Sequence, residues 1–306
     1  MPGMNQEPTE DCLAQDRFAE LPGGMCICWR ERGDAQATPL LLINGLAMQL
    51  ISWPASLAGG LEQAGLRVIM PDNRDAGLSS AAASAPPGRL RQLLALAPPD
   101  NYALEDMADD MAALLDHLGV GAAHVVGMSM GGMIAQCLAA RHPARVLSLC
   151  SIFSTTGRRT VGQPAPSTIL RMLKPVPRSA TEAVRQYVDF MHHIGNPAEP
   201  GAPREWADYA LRAWQRGGGR VNAEGTARQI AAIQKSGDRS AQLRAIRAPT
   251  LVLHGDRDLM VAPSGGRATA ELIPGARLRI LPGLAHQIVT ARSPELVGLI
   301  VGNLRA

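Results

Sequence analysis

At 306 residues the chain has room for one large α/β domain with an insertion, a length that suits two independent domains less well. A hydrophobic share of 46% and a charged share of 19% are those of a globular protein, and 31 glycines with 23 prolines imply many turns. The formal charge of +3 comes without a basic run, which argues against nucleic acid or an anionic membrane surface as a partner.

Residues 1–15 are polar and acidic, lack the apolar stretch of a signal peptide, and read as a flexible arm. No later run approaches the roughly 18 apolar residues of a spanning helix. Cys12, Cys26, Cys28, Cys137 and Cys150 are an odd set without metal-ligand spacing, read as reduced thiols of a cytoplasmic protein that needs neither metal nor cofactor.

Arg17 to Leu21 and Met25 to Arg30, separated by Pro22-Gly23-Gly24, predict a β-hairpin. Pro39 to Ile43 is continuously apolar, as a strand buried on both faces of a parallel sheet must be, and Pro54 to Ala64 and Leu66 to Met70 continue as helix and strand. Residues 80–101, with two Pro-Pro pairs, read as a long exposed loop. Apolar residues at helical spacing resume over Leu104 to Leu118.

His124 to Met128 is the next strand, and a helical pattern begins directly after Gly132, so Ser129 lies on a strand-to-helix turn. Glycines stand two residues before and two after it. They remove Cβ atoms that would clash in so tight a turn, the arrangement that exposes a nucleophilic hydroxyl above a sheet edge. A Gly-rich packing turn fits the same five residues equally well, so the remainder of the chain has to supply a base, an acid and an oxyanion hole.

After the strand Arg145 to Phe153 the alternation of β and α stops. Residues 154–247 show only helical stretches, at Thr181 to Ile194, Pro203 to Arg216 and Ala223 to Lys235, and read as a helical cap. Strands return at Pro249 to His254 and Ala276 to Leu281, with helices from about Gly265 to Leu272 and from Pro294 to Leu304. The expected architecture is therefore α/β: a mostly parallel sheet of about eight strands flanked by helices, residues 16–153 and 248–306 forming the core, with the cap inserted before the last two strands.

A serine hydroxyl attacks an ester only if a neighbouring base takes its proton, and histidine suits that task near neutrality. Of seven histidines, His117, His124, His142 and His254 fall in predicted elements, and His192 and His193 fall in the cap. His286, in Gly283-Leu284-Ala285-His286, lies in a loop just past the last strand, on the sheet edge that carries Ser129. Gly255-Asp256-Arg257-Asp258 places two carboxylates at the end of the preceding strand, and Asp258 is the better candidate because the loop must first clear the strand. The order Ser129, Asp258, His286 is that of a hydrolase triad. For the oxyanion, the backbone N–H of Met130 and that of Leu46, in Asn44-Gly45-Leu46, are the candidate donors.

With these residues the chain resembles the α/β-hydrolase superfamily over nearly its whole length. Within it, the chain is similar to bacterial serine hydrolases of the aclacinomycin methylesterase type, on Leu41 to Leu46, Asp72-Asn73-Arg74-Asp75-Ala76-Gly77-Leu78-Ser79, Gly127 to Gly132, His254 to Asp258 and Gly283 to His286. Asp75 stands where many such sequences have glycine, and Gln287 where many have aspartate. The resemblance implies a carboxylic ester hydrolase that forms an acyl enzyme. Lactone, enol-lactone or C–C bond hydrolysis and perhydrolysis use the same triad, and a non-catalytic ligand-binding role on this fold is the alternative from another class. Asn44, Met128, Met191 and Trp214 are the candidate substrate contacts, with a small to medium apolar ester as substrate and a monomer or homodimer as the expected state. Removing the cap is expected to alter acyl preference while leaving the triad reactive toward a small reagent.

Overall fold

A single sheet organises the chain. The computed structural model describes residues 15–88, 91 and 96–304, so the expected N-terminal arm up to residue 14, Cys12 and part of the 80–101 loop lie outside the described residues. Its strands are β1 (Arg17–Glu20), β2 (Cys26–Arg32), β3 (Thr38–Ile43), β4 (Leu66–Pro71), β5 (Ala123–Met128), β6 (Val146–Ile152), β7 (Thr250–Gly255) and β8 (Arg277–Leu281). They are ordered β1-β2-β4-β3-β5-β6-β7-β8. β1 pairs antiparallel with β2 and β2 antiparallel with β4, and every other pairing is parallel.

Strand side chains alternate between faces, so each buried strand feeds two cores. On β3, Leu41 and Ile43 pack in a cluster with Met107, Met111, Ile134 and Leu138 from helices α2 (Leu104–His117) and α3 (Met130–Arg141). Leu40 and Leu42 point the other way and pack with Leu57 and Leu61 of α1 (Ala55–Gln63) and with Leu296 and Ile300 of the closing helix, Ser293–Leu304. Burial on both faces is why this run has no polar alternation.

Between β6 and β7 lie α4 (Pro166–Met172), α5 (Ala180–Ile194), α6 (Ala202–Arg216), α7 (Ala223–Ser236) and α8 (Ser240–Ala245). The Ser179 hydroxyl accepts from Glu182 N–H and starts α5, and the Asn222 side chain accepts from Gly225 N–H and starts α7. Helix α9 (Ser264–Leu272) follows β7, and Ser293–Leu304 is α10. No helix among the described residues is long and apolar enough to cross a membrane.

Candidate active site

The parallel strands end on one edge, and β5 delivers Ser129 there with φ 56° and ψ −120°, a region non-glycine residues rarely enter. The flanking glycines allow it. A Cβ on Gly127 would lie 2.2 Å from the Gly131 carbonyl oxygen, and one on Gly131 would lie 2.1 Å from that of Ile43. No side chain fits at either position without moving backbone. Ser129 N–H donates to the Ile152 carbonyl at 2.8 Å, which fastens the turn to β6.

The β8 loop brings the Nε2 of His286 to 2.9 Å from Ser129 Oγ. Its Nδ1 stands 2.7 Å from Oδ2 of Asp258, and the Phe153 ring lies 5.1 Å from the imidazole between centroids. Burial opposes ionisation of Asp258. The imidazole of His286, hydrogen bonds from His254 and His286, and the N–H of Val261 outweigh it and hold the carboxyl down at about 2. An ionised Asp258 only accepts, so Nδ1 of His286 carries the proton and Nε2 is left to accept from the serine hydroxyl. The other carboxylate oxygen of Asp258 accepts from Met260 and Val261 N–H, both at 2.8 Å. Asp256 is exposed and instead receives Gly283 N–H at 2.8 Å, bracing the loop that carries His286.

The loop after β3 lies against the serine: a Cβ on Gly45 would be 3.4 Å from Ser129 Cβ. Among the described residues, neither Leu46 N–H nor Met130 N–H donates to a protein acceptor. Asn44 does not face a ligand space. Fully buried, it donates to the Pro71 carbonyl and accepts from Ser52 Oγ at 2.6 Å, so both ends of its amide hold the loop, and its expected place as a substrate contact is corrected accordingly. Asp72 supports the same loop by accepting Leu50 N–H at 2.6 Å and Leu78 N–H at 2.9 Å, with the Arg216 guanidinium 2.7 Å away.

Ser129 and His286 open into a cavity of about 1260 Å³ between sheet edge and cap. Leu46, Met48, Trp53 and Met128 line it from the core, and Tyr187, Met191, Trp206 and Ile230 from the cap. Met128 and Met191 thus stand on the wall. Trp214 does not; it is half-buried away from the lining, and Trp206, two turns earlier on α6, takes that place. Cap and histidine loop are joined directly. His286 N–H donates to the Ile194 carbonyl at 2.9 Å, and the Gln287 side chain both accepts from Asn196 N–H and donates to the Asn196 carbonyl. Trp206 and Arg216 carry no motif that marks them in the sequence. Among the described residues no group of His, Cys, Asp and Glu is arranged to hold a metal ion.

The sequence pattern of the alpha/beta hydrolase fold family matches residues 38–289. Rhodomycin D methylesterase DauP from a Streptomyces species is 30% identical over 303 residues, covering 91% of this chain and 95% of that protein. A putative carbamate hydrolase from Variovorax paradoxus is 30% identical over 270 residues, covering 87% and 92%. Among solved structures, an enol-lactonase from Burkholderia xenovorans LB400 superposes with a TM-score of 0.71 at 25% identity, over 95% of this chain and 100% of that one. An esterase from Rhodococcus sp. ECU1013 does so with a TM-score of 0.72 at 25% identity, over 95% and 98%.

Proposed function

Since the chain belongs to the α/β-hydrolase fold family, we propose that it is a carboxylic ester hydrolase working through an acyl enzyme on Ser129. The observation that carries this reading is the unbroken chain from Asp258 through His286 to Ser129, at 2.7 and 2.9 Å, ending at the floor of the cavity.

The Ser129 oxygen attacks the ester carbonyl carbon while its proton passes to Nε2 of His286, and Asp258 stabilises the resulting imidazolium. Negative charge gathers on the carbonyl oxygen, where Leu46 and Met130 N–H supply the two donors. Collapse expels the alcohol, which takes the proton from His286. Water, deprotonated by the same nitrogen, then attacks the acyl carbon to release the acid and restore the serine.

The wall of Leu46, Met48, Met128 and Trp206 favours apolar acyl groups, and a volume of about 1260 Å³ exceeds the roughly 300–1000 Å³ of ordinary ligand pockets. We therefore extend the expected substrate from small or medium esters to bulky ones, with the alcohol as small as methyl, in keeping with the names of the methylesterase relatives. The test is a panel of nitrophenyl esters of graded acyl length, methyl esters of bulky acids, and lactones. Turnover of open-chain esters that rises with acyl bulk supports the reading. Turnover confined to lactones would move the chain to the enol-lactonase alternative.

A further inference from the structure

The cap also reaches the loop that carries the proposed oxyanion donor. Gln229, on α7, is fully buried, and both ends of its amide are committed to core backbone. Its Oε1 accepts Ala47 N–H at 2.8 Å and its Nε2 donates to the Arg74 carbonyl at 2.8 Å. Ala47 has φ 58°, in the left-handed region that an alanine enters at a cost of the order of 1 kcal/mol. The loop therefore does not hold this shape by local preference, and something outside it has to.

The seat of α7 is independently fixed. Arg228 grips both carboxylate oxygens of buried Asp75, at 2.5 and 2.9 Å. Asn222 donates to the Asp75 carbonyl at 3.0 Å, and at Gly225 the helix approaches so closely that a Cβ would lie 2.4 Å from that carbonyl oxygen. Asn222, Gly225, Arg228 and Gln229 follow at helical spacing, so one face of α7 is docked on the loop after β4 and presents Gln229 to the loop after β3.

We infer that Gln229 is a positioning residue for the oxyanion hole, supplied by the cap. The inference rests on the proposal that Leu46 and Met130 are the donors. By engaging Ala47 N–H, Gln229 fixes which loop N–H is left for the substrate and holds the Gly45-Leu46-Ala47 backbone in the conformation that offers it. The hole is then complete only when α7 is in its seat.

The experiment compares wild type, Ser129→Ala, Gln229→Leu, Gln229→Asn and Gln229→Glu on one ester, with thermal unfolding run alongside. A trifluoromethyl ketone, whose adduct carries the oxyanion, is bound in parallel with the matching non-fluorinated carbinol as a ground-state control. Leucine removes both hydrogen bonds. Asparagine keeps the amide but is one carbon too short to reach Ala47, and it carries the test if the leucine variant does not fold. Glutamate keeps the acceptor and, protonated at this fully buried position, supplies a donor for the Arg74 carbonyl. A lost donor in a well-studied protease costs about 10²–10³ in turnover, so a misplaced one should cost about 10–100-fold in kcat. The expected result is that loss in the leucine and asparagine variants, with KM and carbinol affinity within about twofold and ketone affinity reduced by the same factor as kcat. Glutamate should recover kcat to within about threefold of wild type. Folded leucine or asparagine variants with wild-type kcat and ketone affinity would overturn the inference while inactive Ser129→Ala leaves the esterase reading standing. Full turnover by Ser129→Ala would overturn the esterase reading itself.

Discussion

At the residue scale, the two aspartates after β7 differ in what accepts and what is accepted. Asp258 holds His286 in one tautomer, whereas Asp256 only braces a loop through Gly283 N–H. Asp258→Asn should therefore lower kcat by about 10⁴, the size of loss a wrong tautomer produces, and Asp256→Asn by only a few-fold. The same carboxylate contributes to acid stability. Its pKa is depressed in the folded chain from an ordinary 3.8 to about 2, so its stabilising contribution is complete above the unfolded value and vanishes as pH falls through about 2. Acid unfolding followed by circular dichroism should show a component of the order of 2 kcal/mol between about pH 4 and 2 that Asp258→Asn lacks. Ser129, Asp258 and His286 stand out in the sequence because each follows a strand end in a fixed chain order, and the fold brings the three together. Asn44 braces its loop, and sequence shows where an amide lies but not that Pro71 and Ser52 occupy both its ends.

At the element scale, strands and long helices were legible where burial repeats regularly. β3 is apolar from Pro39 onward and β5 is buried throughout, and α5, α6 and α7 begin within a residue of the sequence expectation. The short helices α4 and α8 were not, since α4 leaves Ile169, Leu170 and Met172 exposed and shows no buried stripe, and α8 spans fewer than two turns. Trp206 and Trp214 share one helix, and the sequence offers no reason to prefer one over the other as a wall residue. The elbow tolerates little change. Gly131→Ala places a methyl 2.1 Å from the Ile43 carbonyl oxygen, a backbone atom of the central strand. Thermal or urea unfolding should show a loss of at least about 2 kcal/mol, accompanied by loss of turnover. Unchanged stability in the Gly131→Ala variant would mean that helix and strand are not so closely packed.

At the scale of the whole molecule, cap and core are bound at several places, among them Gln229 on the oxyanion loop, Arg228 on Asp75, Arg216 on Asp72, and Ile194 with Asn196 on the histidine loop. This revises the expectation that a capless enzyme keeps a reactive triad. Replacing residues 154–247 by a Gly-Ser linker removes the acceptor of His286 N–H and the partner of Ala47 N–H together. The variant should lose hydrolysis of even acetyl esters by about 10²-fold or more, besides losing acyl selectivity; a folded capless variant with unchanged acetyl-ester turnover would show that the cap shapes the pocket alone. Such coupling was not legible because its partners lie far apart in sequence and involve backbone groups. On the proposed mechanism one serine carries the acyl group. The most direct measurement of this is intact-mass and peptide mapping after treatment with a fluorophosphonate, for wild type and Ser129→Ala. The expected result is a single adduct on the wild-type peptide containing Ser129, appearing in proportion to lost turnover, with no adduct and at least about a 10³-fold lower kcat in the variant. An adduct at another residue, or wild-type turnover by Ser129→Ala, would contradict it.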